Sequence, residues 1–501
     1  MTRVEEITDP AQLRQVALLL DRENAKLHDK IRELAAELAR LKGQEGSLAQ
    51  LELSYLKEIL SQRERALFGE KSERRTGFGS EAAAAVDESA PQRGHGPRAQ
   101  VALPLVVQEH ELPPGARGCP QCGGELSEMS GQSEDSEEIT VVERRFLLVQ
   151  HRRRKYRCAC NGHVATAPGP LRLSVHPDAR GRRYSIDFAI EVSLDKYLDH
   201  LPLERQVRRM RHEGLAIDSQ TLWDQVEALA RRLAPVYEAL NARVLAAPVL
   251  GADETWWRLM QGKGSKRWWA WTLASPDAVV HRILDSRSQE AARQVLGDYR
   301  GIVVADGYGA YEALARAGPE TRFTLAHCWA HARRKFVEAE PHFPEACREV
   351  LDFIQGLYGI EREAGGSVEA RARLRDERSR PIVADIHAWA LAKAQETLPK
   401  SSLGKAIGYL LGLWPGLVRF LDDPRIPLDN NATERALRGA VVGRKNHFGS
   451  RSRRGTEVAA LFYSLIESAK LAGIDPRGYL REAAFAALKG QEVVLPKPSA
   501  A

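Results

Sequence analysis

The chain has 501 residues, 43% of them apolar and 28% charged, a composition that excludes a wholly disordered polypeptide and leaves room for two or three folded units. Its net charge of +6 permits nucleic-acid binding without requiring it. No run approaches the roughly 18 apolar residues of a membrane span, so a cytoplasmic protein with no membrane partner is expected.

At the N-terminus, Leu13, Leu20, Leu27, Leu34, Leu41 and Leu48 recur every seventh residue, and Ala17, Asn24, Ile31 and Leu38 fill the companion positions of an a/d seam. Residues 1–73 are therefore expected to form a leucine-zipper coiled coil. Asn24 suits a parallel dimer with one buried polar pair, while an antiparallel hairpin, or a plain amphipathic helix, stays open. Residues 74–115, rich in Gly, Ser, Ala and Pro, read as a flexible linker.

Six cysteines are too few for a disulfide scaffold in a chain this long, and four of them fall in two close pairs within residues 116–170. Cys119 and Cys122 have the knuckle spacing that lets two thiolates reach one tetrahedral ion. Cys158 and Cys160 have only one residue between them, which strains the second knuckle, so His163 is an alternative fourth ligand. One structural Zn2+ in a small β-rich ribbon is expected, with reduced buried cysteines as the plainer alternative. Residues 171–246 read as helices around a Gly214 turn, with Asp218 capping the helix that carries Trp223. That pattern fits a helix-turn-helix and fits ordinary core helices equally.

From residue 247 the signals are strand (248–254), strand (267–274), strand (278–284), a helix capped by Ser286, strand (301–306), a helix from Gly309, strand (321–326) and a helix over 329–336. This is the order of a ribonuclease-H-like α/β core, expected over 247–465 with a helical insertion at about 337–427. In the insertion, Phe353, Leu357, Leu391, Leu410 and Leu411 are the expected core, and the charged stretch from Glu361 to Arg380 is expected to be exposed.

Asp253 and Asp306 fall at the ends of strands that are neighbours in that fold, and Glu434 opens a downstream helix. Three carboxylates suit two Mg2+ (or Mn2+) ions about 4 Å apart, which serve in-line displacement at phosphorus. Because successive strand side chains face opposite ways, Asp253 and Glu254 cannot both be ligands. Each acid also has a blander reading, Asp306-Gly307 as a turn and Asn431 with Glu434 as a capping box. Downstream, Arg444, Lys445, Arg451, Arg453 and Arg454 cluster among glycines and could follow a phosphate backbone, with Arg435 and Arg438 beside them, or form a merely solvated basic loop. His327, Cys328 and His331 are read as packing at a helix start, with His331 and Arg334 near substrate.

Leu67-Phe68-Gly69, the Cys119/Cys122 knuckle, Lys196 to Leu203, Ala252-Asp-Glu-Thr255, Ala305-Asp-Gly-Tyr308, Cys328 to Phe336 and Asp429-Asn-Asn-Ala-Thr-Glu-Arg435 together closely resemble the insertion sequence sixty-six family of bacterial transposases, over nearly the whole chain. The resemblance implies a multidomain DNA strand transferase with Asp253, Asp306 and Glu434 as its acidic triad and a short C-terminal domain at 466–501. It further implies double-stranded DNA as partner, both the terminal inverted repeats of an insertion sequence and a target. A homodimer or higher homo-oligomer, accessory proteins of the same element and nucleoid association on DNA are expected alongside. The one-residue spacing of Cys158 and Cys160 departs from that family's pattern. A ribonuclease-H-like nuclease that only cuts, and a non-catalytic DNA-binding regulator, are the rival functions.

Overall fold

The computed structural model describes residues 183–260, 266–317 and 323–497 as continuous stretches, together with 146–157, 163–174, Gln121 and parts of 22–33 and 52–63. The linker, both cysteine pairs and all the heptad leucines except Leu27 lie outside the described residues.

The described residues of 22–33 and 52–63 are helical, with Leu27 and Ile31 half-buried. Arg63 pairs with Glu23 at 3.6 Å, so the second helical stretch lies beside the first within one chain. Leu53, Glu58 and Leu60 are buried, and a Glu58 carboxylate oxygen accepts from the Ser402 N–H at 3.0 Å. Two short strands, β1 (Lys155–Arg157) and β2 (Val164–Thr166), pair antiparallel with Tyr156 opposite Ala165. Residues 158–163, which include two cysteines and the exposed His163, connect them.

Three helices come next: α1 (Ile186–Tyr197), α2 (Leu203–His212) and α3 (Ser219–Leu245). Gly214 takes a φ of +86°, a left-handed conformation that costs glycine little, and the Asp218 carboxylate accepts from the Thr221 N–H at 2.6 Å. The expected turn and cap are both present.

The sheet consists of β3 (Val249–Leu259), β4 (Lys266–Ala274), β5 (Val279–Leu284), β6 (Ile302–Ala305) and β7 (Thr324–His327), in the order β5-β4-β3-β6-β7. β3, β4 and β5 form an antiparallel meander, and β6 and β7 add in parallel beside β3. β3 runs past the expected end at residue 254 because it pairs with β4 as far as Leu259, through the cross-strand contacts Trp256 with Trp269 and Trp257 with Trp268. Helix α4 (Gln289–Leu296) is capped by Ser288, which accepts from the Ala291 N–H at 3.3 Å, and not by Ser286. Ser286 instead accepts from the Ser288 N–H at 3.0 Å and shapes the entry. α5 (Gly309–Arg316) and α6 (Trp329–Ala339) follow β6 and β7.

The insertion is helical, with α7 (Pro344–Glu363), α8 (Val368–Leu374), a π-turn over Arg375–Ser379, α9 (Arg380–Glu396) and α10 (Ser402–Gly412) around a second core of Trp329, Phe336, Ile354, Leu357, Ile386 and Leu410. Two expectations fail here. Leu391 is 48% exposed because α9 turns Ile386 and Ala390 inward instead. The charged stretch is not wholly a solvated face: Arg375 is only 1% exposed. Its guanidinium pairs with both Glu361 oxygens at 2.6 and 2.8 Å and donates to the carbonyls of Phe420 (2.6 Å) and Ile426 (2.9 Å).

The chain then forms α11 (Asn431–His447), α12 (Arg453–Leu471) and α13 (Pro476–Lys489). α12 lies along the free edge of β5, where the Ser468 and Ser464 hydroxyls accept from the N–H groups of Val279 (2.9 Å) and His281 (2.8 Å). Serine thus satisfies edge donors that would otherwise be buried without partners. The boundary expected at 465/466 falls inside this unbroken helix, and Tyr479, Leu480 and Ala483 of α13 share one core with α1 and α3.

Candidate active site

β3 and β6 are parallel neighbours, with Gly251 opposite Val304. Two residues further on, the same register sets Asp253 beside Asp306, just past the end of β6. The start of α11 presses onto this strand: a Cβ on Gly251 would lie 1.9 Å from Thr433 Oγ1 and 2.4 Å from Asn430 Oδ1. Glycine is what lets the helix that carries Glu434 approach so closely. Asn430 fixes the contact by donating from its side chain to the Ala252 carbonyl at 2.8 Å.

The three acids meet electrically. Burial pushes the Asp253 carboxyl up to about 8, and Glu254, Asp306 and Glu434 add to the shift by repulsion. Asp253 accepts from the Glu254 N–H at 2.8 Å, and Asp306 accepts from the Tyr308 N–H at 3.0 Å, so the turn role of Asp306 coexists with its place beside Asp253. Glu434 Oε1 is buried without a hydrogen-bond partner, 3.5 Å from His331 Nε2 and 3.8 Å from Arg334. Burial lowers the His331 pKa, against the raising influence of Glu434 and Asp306. The capping box is absent, since Asn430 stands at the N-cap with no side-chain cap bond. Asp429 lies before the helix, where it accepts from the Asn431 N–H at 3.0 Å.

Glu254 points the other way, as strand alternation requires. It is 8% exposed, paired with Arg287 at 2.6 Å and accepting from the Tyr311 hydroxyl at 2.9 Å. Arg287 in turn lies 3.6 Å from the ring centroid of Tyr308, so Glu254 belongs to a closed structural network. Sequence reasoning did not foresee Arg287 or Tyr311 as its partners, because the strand, loop and helix that bring them together are far apart in the chain. Cys328 packs as expected: it is buried, its Sγ accepts from the Asn430 N–H at 3.1 Å, and burial pushes its thiol up to about 12.

Among the basic candidates, Arg435, Arg438, Lys445, Arg451, Arg453 and Arg454 are exposed. Arg454 reaches Glu227 at 3.2 Å and Glu457 at 2.9 Å. Arg444 differs: it is 7% exposed, donates to Thr255 Oγ1 at 3.0 Å and to the Trp256 carbonyl, and sits 4.0 Å from the Trp256 ring centroid. Its guanidinium braces β3 from inside instead of facing a duplex.

Among the described residues, no three His, Cys, Asp or Glu side chains stand ready-grouped around a metal position. The donor chemistry still fits a hard divalent cation, because an orphaned glutamate oxygen and an aspartate destabilised by burial and three further carboxylates are what a cation would relieve.

Comparison with known proteins follows the same division of the chain. Residues 116–161 match the zinc-finger binding domain of transposase IS66, an interval that holds all four paired cysteines and ends before His163. The uncharacterized protein y4jD of Sinorhizobium fredii (strain NBRC 101917 / NGR234) is 34% identical over 391 residues, which cover 74% of this chain and 75% of that protein. The uncharacterized protein y4qI of the same strain is 30% identical over 513 residues, covering 95% and 93%. Residues 182–458, over half of the chain and spanning Asp253, Asp306 and Glu434, match the Transposase IS66 family, and the chain belongs to that family.

Proposed function

We propose that this protein is a DDE-type DNA transposase that cuts DNA at the ends of an insertion sequence and transfers the freed strand to a target. What supports the reading is the parallel register of β3 and β6, which carries Asp253 towards Asp306 just past the end of β6, and the repulsion that Asp306 and Glu434, on a helix packed on Gly251, both exert on Asp253. The strand order β5-β4-β3-β6-β7, three antiparallel and two parallel, supports a ribonuclease-H-like core.

Asp253, Asp306 and Glu434 would hold Mg2+ (or Mn2+), two ions in such sites, which when bound supply charge neutralisation at the phosphate and an activated oxygen. Asp253 and Asp306 offer their carboxylates from interior strands of the sheet, within β3 and just past β6, whose backbone is rigid. Glu434 comes from a helix locked by Asn430 and Thr433. His331, held largely neutral by burial, and the Arg334 guanidinium border Glu434, where Arg334 can neutralise a phosphate oxygen. The exposed cations Arg435, Arg438, Lys445, Arg451 and Arg453 would contact the backbone of double-stranded DNA, terminal repeats and target alike. A duplex bearing the element's ends, incubated with magnesium, tests the reading: specific nicking followed by joined products supports transposition. Nicking without joining would favour the simple nuclease, and binding without nicking the regulator.

The paired cysteines Cys119, Cys122, Cys158 and Cys160 are proposed to hold one structural Zn2+, with the family interval ending before His163 favouring the all-cysteine set. Purified protein should carry about one zinc per chain, since one tetrahedral site needs four ligands. Cys119→Ser should release it and lower the stability of the 116–170 module. Unchanged zinc by elemental analysis would refute the site, and loss in His163→Ala but not Cys160→Ser would reassign the fourth ligand.

Homodimerisation through the heptad seam, placement in the cytoplasm on the nucleoid, and cooperation with accessory proteins of the same element complete the proposal. No helix among the described residues is long and apolar enough to cross a membrane. The Arg63–Glu23 pair supports a helical hairpin within each chain, so the hairpin is the unit that would dimerise.

A further inference from the structure

Glu254, Trp256 and Arg258 alternate onto one side of β3, and their partners across the ladder, Trp271, Trp269 and Arg267 of β4, share that face. Its cover thins with distance from Glu254. Trp271 is buried against the Tyr311 ring of α5, with 5.8 Å between centroids. Trp269 is half-buried, with the Arg287 guanidinium 4.8 Å from its ring centroid. Trp256 is 44% exposed even though the Arg444 guanidinium lies on its ring, and Arg258 and Arg267 beyond it are both exposed. The end of α11 borders the same strip: the Ser450 N–H donates to the Arg258 carbonyl at 2.9 Å, and Phe448, two residues earlier, is 62% exposed. Large rings left open side by side on a rigid strand and helix mark a surface that something else covers.

Charge says what that is. Arg258 and Arg267 stand directly opposite each other across β3 and β4, and like charges so placed are destabilising. Neither residues 255–276 nor residues 435–456, the two segments that meet here, contain an Asp or a Glu. The carboxylate that does lie on this face of the strand pair, Glu254, is buried and taken up by Arg287 and Tyr311. An anion set between the two guanidiniums would relieve their repulsion, and a phosphate suits the planar guanidinium fork. A second copy of this chain would bring the same excess of cations, a net charge of +6, to a face that already lacks acids. A nucleic-acid strand instead supplies both missing partners, a phosphate for the guanidiniums and a base for the open ring. Arg258 lies two residues from Trp256, about 7 Å at ~3.3 Å per residue, so neighbouring parts of one strand reach both. Paired bases keep their faces stacked inside the duplex, so the ring can take only a base that has left it.

We propose that Trp256 stacks against an unpaired base of the DNA strand beside the cut, while Arg258 and Arg267 clasp a backbone phosphate of the same strand. The proposal rests on the reading that the chain acts on DNA. It sets the grip three residues from Asp253, about 10 Å along β3 at ~3.3 Å per residue, so the base held is one freed close to the phosphate under attack. Full-length protein without divalent metal would be titrated with a fluorescent duplex bearing a single-stranded oligothymidine tail, and with the same duplex blunt-ended, over a range of salt. Trp256→Leu should weaken binding of the tailed duplex roughly five-fold to a hundred-fold, leaving its salt slope and the blunt duplex unchanged. Arg258→Gln should reduce the slope of log affinity against log salt by about 1. Because it dissolves a like-charge pair, it should also hold or raise the melting temperature of the free protein, which separates weaker binding from misfolding. Lys405→Gln, an exposed cation on α10, should change neither. Wild-type affinity for the tailed duplex in Trp256→Leu, or an equal loss on both duplexes, would overturn the proposal even where Asp253→Ala has abolished cleavage. A lower sedimentation mass of Trp256→Leu with unchanged DNA binding would overturn it too, in favour of a second copy of the chain on this face. If the unaltered chain binds neither duplex, the DNA reading falls and this proposal with it.

Discussion

Asp253→Ala, Asp306→Ala and Glu434→Ala should each lower magnesium-dependent cleavage and joining by roughly a thousand-fold or more, since losing several kcal/mol of charge stabilisation in the transition state corresponds to that factor. Binding of DNA without metal should survive, because the exposed cations proposed to meet the DNA backbone lie elsewhere. Stability should move in the opposite direction to activity. The folded Asp253 is harder to ionise than the unfolded one, with about 8 against 3.8. It therefore costs the metal-free protein nothing below pH 3.8, an increasing amount between there and about 8, and a constant amount above. Asp253→Asn should accordingly raise the melting temperature of metal-free protein at pH 8.5 and leave it nearly unchanged at pH 4. A melting temperature that falls at pH 8.5 would mean that Asp253 is structural. Two neighbours separate the roles. Asp429→Ala should keep most activity, since its carboxylate caps Asn431. Glu254→Ala should lose stability first, because it strands Arg287 and Tyr311 in a buried network.

Arg375→Met should destabilise the protein by about 3–5 kcal/mol, the range for removing one partner of a buried ion pair. It would leave Glu361 with only the Arg371 guanidinium, at 3.3 Å, and the carbonyls of Phe420 and Ile426 without their donor. Those carbonyls belong to the segment that returns the chain from the insertion to α11, so cleavage should fall as well, through displacement of Glu434. Denaturant unfolding reads the first effect, and the double variant Arg375→Met with Glu361→Gln should recover part of the loss by removing a charge that has lost its two-pronged partner. A single-variant loss under about 1 kcal/mol, the scale of an exposed pair, would show that the network does not hold this segment.

The sequence by itself determined the periodic and local features. The order of strands and helices from residue 247, the Gly214 turn and the Asp218 cap follow from side-chain alternation, helical spacing and the short reach of a capping carboxylate. Asp306 follows the end of a strand at a turn, where an acid stays accessible, whereas Asp253 lies inside β3, and there alternation alone separated it from Glu254. Tertiary structure decided what depends on residues distant in the chain. Whether Arg375 and Arg444 are solvated or buried turns on which carbonyls and rings surround them, and no local pattern encodes that. Gly251 reads locally as a weak point in a strand, yet the fold uses it to admit the helix that bears Glu434.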